Sequence, residues 1–144
     1  MKSIIQLFLY LSLVLLLGGC DAGSDLNNSS FDYAVPTKIS VKNSAASIDR
    51  DYIIRFDSVL SDSRCPKGAE CFWVGVAGIR LTVWNRTALP KTVDLYTFNN
   101  REWADSAVYK NIKIKLLALN PYPSVNAKFA YSAYKAKLKV TKNN

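Results

Sequence analysis

The stretch Asn111-Ile112-Lys113-Ile114-Lys115-Leu116-Leu117-Ala118-Leu119, answered near the end of the chain by Tyr134-Lys135-Ala136-Lys137-Leu138-Lys139-Val140-Thr141, decides the fold class. Apolar and charged residues alternate with a period of two, the side-chain period of an extended strand, so one face is offered to a core and the other to water. The same alternation recurs between turn-rich stretches at 37–42, 52–60, 70–74, 77–85 and 92–98. No amphipathic helix of useful length is found after Pro36. The inward set reads Tyr52, Ile54 and Phe56; Ile79, Leu81 and Val83; Val93 and Leu95; Ile112, Ile114 and Leu116; Ala136, Leu138 and Val140. Arg55, Asp57, Arg80, Lys113, Lys115, Lys137 and Lys139 point the other way. The expectation is an all-β domain, a single antiparallel β-sandwich of immunoglobulin-like type with about seven strands, a small barrel being the alternative. Residues 99–109, opened by Asn99-Asn100, read as irregular with a helical turn.

A chain of 144 residues supports one such domain. Its hydrophobic fraction of 49% owes much to one block near the start. The net charge is +8, and Lys2 is the only charged residue before Cys20, so nearly all of the excess belongs to the remainder. Positive charge favours acidic partners such as phospholipid head groups or anionic glycans. The lysines of 110–115 and 128–142 are also the expected wet face of strands, and they guard an edge against pairing with another chain. Histidine is absent, which removes Ser-His-Asp and Cys-His catalysis and the commonest metal ligand. No phosphate-binding glycine loop, nucleotide fingerprint or dense oxygen-ligand spacing is present, so no cofactor, metal or nucleic acid is expected.

Residues 1–20, MKSIIQLFLYLSLVLLLGGC, have the three-part build of an export signal: a cation at Lys2, an apolar run from Ile4 to Leu17, then small residues. Leu17-Gly18-Gly19-Cys20 resembles the lipobox of bacterial lipoproteins. That resemblance implies cleavage before Cys20 and acyl chains on its sulfur, a membrane anchor in the inner or outer membrane. Asp21 resembles the inner-membrane retention signal of enterobacterial lipoproteins. Three cysteines leave one over after any single disulfide, and lipidation of Cys20 resolves the odd count. Residues 20–35, rich in Ser, Asn, Asp and Gly, read as a flexible tether that holds a domain at 36–144 off the bilayer.

The most distinctive segment is Asp62-Ser63-Arg64-Cys65-Pro66-Lys67-Gly68-Ala69-Glu70-Cys71-Phe72-Trp73-Val74-Gly75. Cys65 and Cys71, with Pro66 and Gly68 bending the chain between them, suit a disulfide across a tight loop in an oxidising compartment. A redox pair or two free thiols are the other readings, although the spacing is not Cys-x-x-Cys. Asp62 and Arg64 suit an ion pair, and Trp73 a cover for the disulfide. Arg64, Lys67, Glu70, Trp73 and, further on, Tyr122 between two prolines are the candidate partner-binding residues. The alternative is that all five are scaffold.

This segment resembles the Asp-Ser-Arg-Cys-Pro-x-Gly-x-x-Cys-x-Trp-x-Gly signature of small exported bacterial proteins and lipoproteins of uncharacterised function. In that family it is often followed by Leu-x-x-Leu-x-Pro-Tyr-Pro and Tyr-x-Ala-x-Leu-x-Val. Here those stretches are Leu116 to Pro123 and Tyr134 to Val140, and Val76 stands where a polar residue is common. The resemblance implies a β-sandwich and brings no activity with it. The functional expectation is a lipid-anchored, non-enzymatic binding module at the cell envelope whose partner is the membrane together with an envelope protein or glycan. Two alternatives stand beside it. One is a carboxylate-dependent hydrolase or carbohydrate-active protein using Trp84 or Trp103 as an aromatic platform; the other is an inhibitor or envelope-stabilising protein docked on an anionic polymer.

Overall fold

Period-two alternation produces strands almost wherever it occurs in this chain. The computed structural model describes residues 28–143; Cys20, the signal segment 1–19 and tether residues 20–27 lie outside the described residues. The strands are β1 (Asn28–Phe31), β2 (Thr37–Ser40), β3 (Ser44–Ser47), β4 (Tyr52–Asp62), β5 (Ala77–Asn85), β6 (Ala88–Tyr96), β7 (Ser106–Tyr109), β8 (Ile112–Asn120) and β9 (Lys135–Lys142). They form a five-stranded sheet, β1-β3-β4-β5-β6, packed on a four-stranded sheet, β2-β9-β8-β7. The chain is therefore an all-β sandwich. Neighbouring strands are antiparallel except β1 and β3, which run parallel. The meanders β3-β4-β5-β6 and β7-β8-β9 build most of each sheet, and β1 and β2 add to their edges by crossing from one sheet to the other.

The core lies between the two inner faces. Ile54, Phe56, Ile79, Leu81, Val83 and Leu95 from the larger sheet meet Ile39, Ile112, Ile114, Leu119 and Leu138 from the smaller one, all fully buried. Each such side chain contributes about 1.5–3 kcal/mol by leaving water. Every residue expected to point inward is buried. In β8 the buried positions run 112, 114, 116 and then 119, an odd step that strict alternation forbids. A bulge at Leu117 absorbs it: Leu116 faces Leu138, Ala118 faces Lys137, and Leu117 is left over and exposed.

Several expectations are corrected. Nine strands are present among the described residues, because β1, β3 and β7 are four-residue strands too short to show alternation. Residues 28–35, read as tether, belong to the fold: β1 pairs with β3, Phe31 is 2% exposed in the core, and Tyr33 packs edge-on against it. Residues 70–74 are not a strand but an exposed loop. The irregular stretch 99–109 holds β7 and no helical turn; a short 3-10 turn falls instead at Tyr131–Ala133.

The outer face of the smaller sheet carries rows of lysine. Lys38 stands directly across from Lys137, and Lys115 across from Lys139. Like charges in such register repel, and Asp105, 3.0 Å from Lys115, is the one carboxylate paired with these four among the described residues.

Antiparallel pairing sends the connections to two ends. Residues 63–76, 97–105 and 121–134 gather at one, hereafter the loop end, while 41–43 joins β2 to β3 on the same side but level with Phe56 in mid-β4. The opposite end is closed by Lys142 on Asp49 at 2.7 Å, by the Tyr52 hydroxyl on Asn111, and by the Tyr109 hydroxyl on the Leu89 carbonyl.

Candidate functional site

The loop end is organised by Arg64, which is 6% exposed. Its guanidinium grips Asp62 with two parallel bonds, Nε to Oδ1 at 2.8 Å and Nη2 to Oδ2 at 2.7 Å. It also donates from Nη1 to the Leu119 carbonyl at 2.6 Å and from Nη2 to the Pro121 carbonyl at 3.0 Å. The planar fork of arginine satisfies four acceptor contacts that an ammonium group could not reach together. Tyr122 lies beneath the same guanidinium, its ring centre 4.7 Å from Cζ. On the other side Asp62 accepts the Tyr134 hydroxyl at 2.9 Å.

Burial pushes the Asp62 carboxyl up, but the bonds from Arg64 and Tyr134 outweigh it and hold the group below the usual carboxylate range. Burial, and then the bond to Asp62, push the Tyr134 phenol up to about 12. The cluster is thus a carboxylate, a guanidinium and a neutral phenol at ordinary pH, with its charges matched and its donors used. It is a structural clasp. It joins the Asp-Ser-Arg-Cys segment to the Leu-Asn-Pro-Tyr-Pro segment and to the start of β9, so that three stretches separate in sequence form one unit.

Around this clasp the loop 63–76 is tied at both limbs. Cys65 and Cys71 are disulfide-bonded, their Cα atoms 6.0 Å apart. Ser63 bonds Val76 through backbone and hydroxyl. Gly75 passes so close to Ser63 that a Cβ there would overlap the Ser63 carbonyl oxygen and the Arg64 Cα. Lys67 exchanges backbone bonds with Pro123 and Val125 of the neighbouring loop, and Gly68 has a positive φ of 87°. Phe129 and Tyr131 stack edge-on against Tyr134, and the Val59 N–H donates to the Tyr131 hydroxyl, which fastens loop 121–134 to β4.

Outside these ties sits an apolar tip. Phe72 is 102% exposed, Trp73 66% and Val74 76%. Trp73 therefore lies largely in water and not in the core. Of the five candidate partner-binding residues, Lys67, Glu70 and Trp73 are displayed together on this loop, and Tyr122 is half-exposed beside Lys67. Arg64 is not displayed, because its fork is fully engaged inward. Phe72, Val74 and Val125 were not singled out in the sequence. A run of three apolar residues directly after a loop-closing cysteine, with no polar partner to alternate with, was the available signal.

A groove of about 360 Å³ lies at the opposite end, lined by Ala46, Arg50, Asp51, Ile53, Trp84 and Arg86. Arg55 rests over the Trp84 ring at 5.7 Å. The groove offers an indole, two arginines and one carboxylate rather than two convergent acids. Trp103 is tilted against Tyr96 in the 97–105 loop, away from that groove. Among the described residues no group of three His, Cys, Asp or Glu side chains is placed to hold a metal. No helix of the described residues is long and apolar enough to cross a membrane. Comparison of the chain with family models, with curated proteins and with solved structures finds no match.

Proposed function

We propose that this chain is a lipid-anchored, non-enzymatic interaction module of the bacterial cell envelope, and that the loop end of its sandwich is the contact surface. The observation that carries the reading is the tip Phe72-Trp73-Val74, held in water on a loop braced by a disulfide, a buried arginine fork and a glycine-only crossing. Exposing three consecutive large apolar residues on a rigid support opposes the hydrophobic effect, and contiguous apolar exposure of this kind marks interaction surfaces. A braced loop also presents them without losing conformational entropy on contact. The anchor is supported by the resemblance of Leu17-Gly18-Gly19-Cys20 to a lipobox and by the pairing of the other two cysteines with each other.

Two measurements test the two halves. Growth with an alkyne-bearing fatty acid should label the wild-type protein and leave a Cys20→Ser variant unlabelled; equal labelling refutes the anchor. Crosslinking in whole cells should give adducts that disappear from a Phe72→Ser/Trp73→Ser variant whose melting temperature is unchanged. Adducts that persist undiminished refute the loop end as the contact surface.

A further inference from the structure

The partner of this tip follows from where the chain enters the fold. We infer that the loop end lies against the bilayer itself, with Phe72, Trp73 and Val74 seated in the head-group region of an anionic leaflet; this deepens the reading above and rests on its lipid anchor. Three independent observations converge.

The first is polarity. β1 runs parallel to β3, which descends from the loop end, so Asn28, where the described chain begins, is the residue of β1 nearer that end.

The second is reach. Cys20 precedes Asn28 by eight residues, and eight extended residues span at most about 28 Å. Asn28 is level with Ser44 and, through it, with Arg55, from which β4 climbs seven residues to Asp62. That climb is at most about 23 Å at the usual strand rise, and loop 63–76 extends beyond it. A fully stretched connection therefore carries Cys20 little further than the loops. An acylated Cys20 cannot hold the sandwich clear of the surface, and the end that meets the surface is the one bearing the apolar tip.

The third is chemistry. Besides the tip, Phe98, Tyr122, Val125 and Tyr131 are exposed at this end. Lys67, Arg101, Lys128 and Lys135 are exposed around them and, among the described residues, make no ion pair; the exposed acids there are Glu70 and Glu102. Aromatic residues flanked by an excess of cations suit the boundary between acyl chains and anionic head groups. A protein partner remains the competing occupant, and the test separates the two.

The acylated protein, purified from bacterial membranes, is placed in vesicles of phosphatidylcholine and phosphatidylglycerol at about three to one, a composition with an anionic surface for the exposed lysines. Matched vesicles carry bromine high on the acyl chains. Trp84 and Trp103 also fluoresce, so the readout is the difference between the wild type and Trp73→Phe. Bromine should remove at least half of the Trp73 contribution. A Trp73 contribution equal in brominated and plain vesicles overturns the inference, whether the indole is free in water or covered by a protein in native membranes. Mass analysis of the Cys20 peptide reports on the anchor separately. If the protein is acylated and Trp73 is not quenched, the anchor stands and the bilayer contact falls. If it is not acylated, the same full chain is sedimented with anionic vesicles: binding reduced at least tenfold by Phe72→Ser/Trp73→Ser/Val74→Ser sustains the bilayer contact without the anchor, and an absence of binding refutes both.

Discussion

Replacing Arg64 by alanine should destabilise the fold itself, because the side chain is a buried tie and not part of the displayed surface. The side chain is 6% exposed and its removal strands a carboxylate, Asp62, whose own side chain is 9% exposed. Taking one partner from a buried ion pair costs about 3–5 kcal/mol because the remaining charge stays out of water. The Leu119 and Pro121 carbonyls lose their donor as well, and the ring of Tyr122 loses its cation. The described domain runs from 28 to 143, so a loss of this size corresponds to a fall in melting temperature of about 12–20 °C. Equilibrium urea unfolding followed by tryptophan fluorescence measures it directly. Arg64→Lys is the informative control: it restores the charge but not the fork, so it should recover only part of the loss. If Arg64→Ala unfolds within about 0.5 kcal/mol of the wild type, the size of a neutral surface change, the clasp does not hold the loops and the reasoning fails.

Four further outcomes are expected. Phe31→Ala should cost about 3–5 kcal/mol in the same assay, since the ring is in the core; a neutral result would return residues 28–31 to the tether. Gly75→Ala should destabilise toward the upper end of the about 1–3 kcal/mol typical of overpacking, because the atoms it meets are backbone and cannot rotate away. Stability should fall at both pH extremes through one contact. The Asp62 carboxyl is held low, so its contribution is present above the unfolded value near pH 3.9 and is lost as pH drops through the lower folded value. The Tyr134 phenol is held at about 12, so its contribution is complete below about pH 10 and is lost as pH rises toward 12; Asp62→Asn and Tyr134→Phe should flatten the acid and alkaline limbs respectively. Lys137→Glu, opposite Lys38, should stabilise the smaller sheet by about 0.2–1 kcal/mol at low salt, and the gain should shrink when salt is raised.

Local pattern was enough for the strands that carry the core. Where apolar and polar residues alternate, over 135–141 in β9, over 111–116 in β8 and more briefly in β4 and β5, the period alone states which face is buried, and neither pairing order nor distant contacts are needed to read it. The pairing of Cys65 with Cys71 was legible for the same reason, since only five residues lie between them. What the chain did not disclose locally depends on partners far away in sequence. β1 is four polar and aromatic residues that become a strand because β3 offers an open edge and the core offers Phe31 a place. The pairing of Arg64 with Asp62, two residues away, is legible locally, but the burial of that pair is not, because it needs the Leu119 and Pro121 carbonyls at the end of β8. Trp73 reads equally as a cover for the disulfide and as a displayed contact residue, and only the folded loop leaves its indole 66% exposed. Alternation is a property of neighbours along the chain and survives in one dimension; the choice between burying a charge and exposing an indole is made by atoms brought together only when the two sheets close.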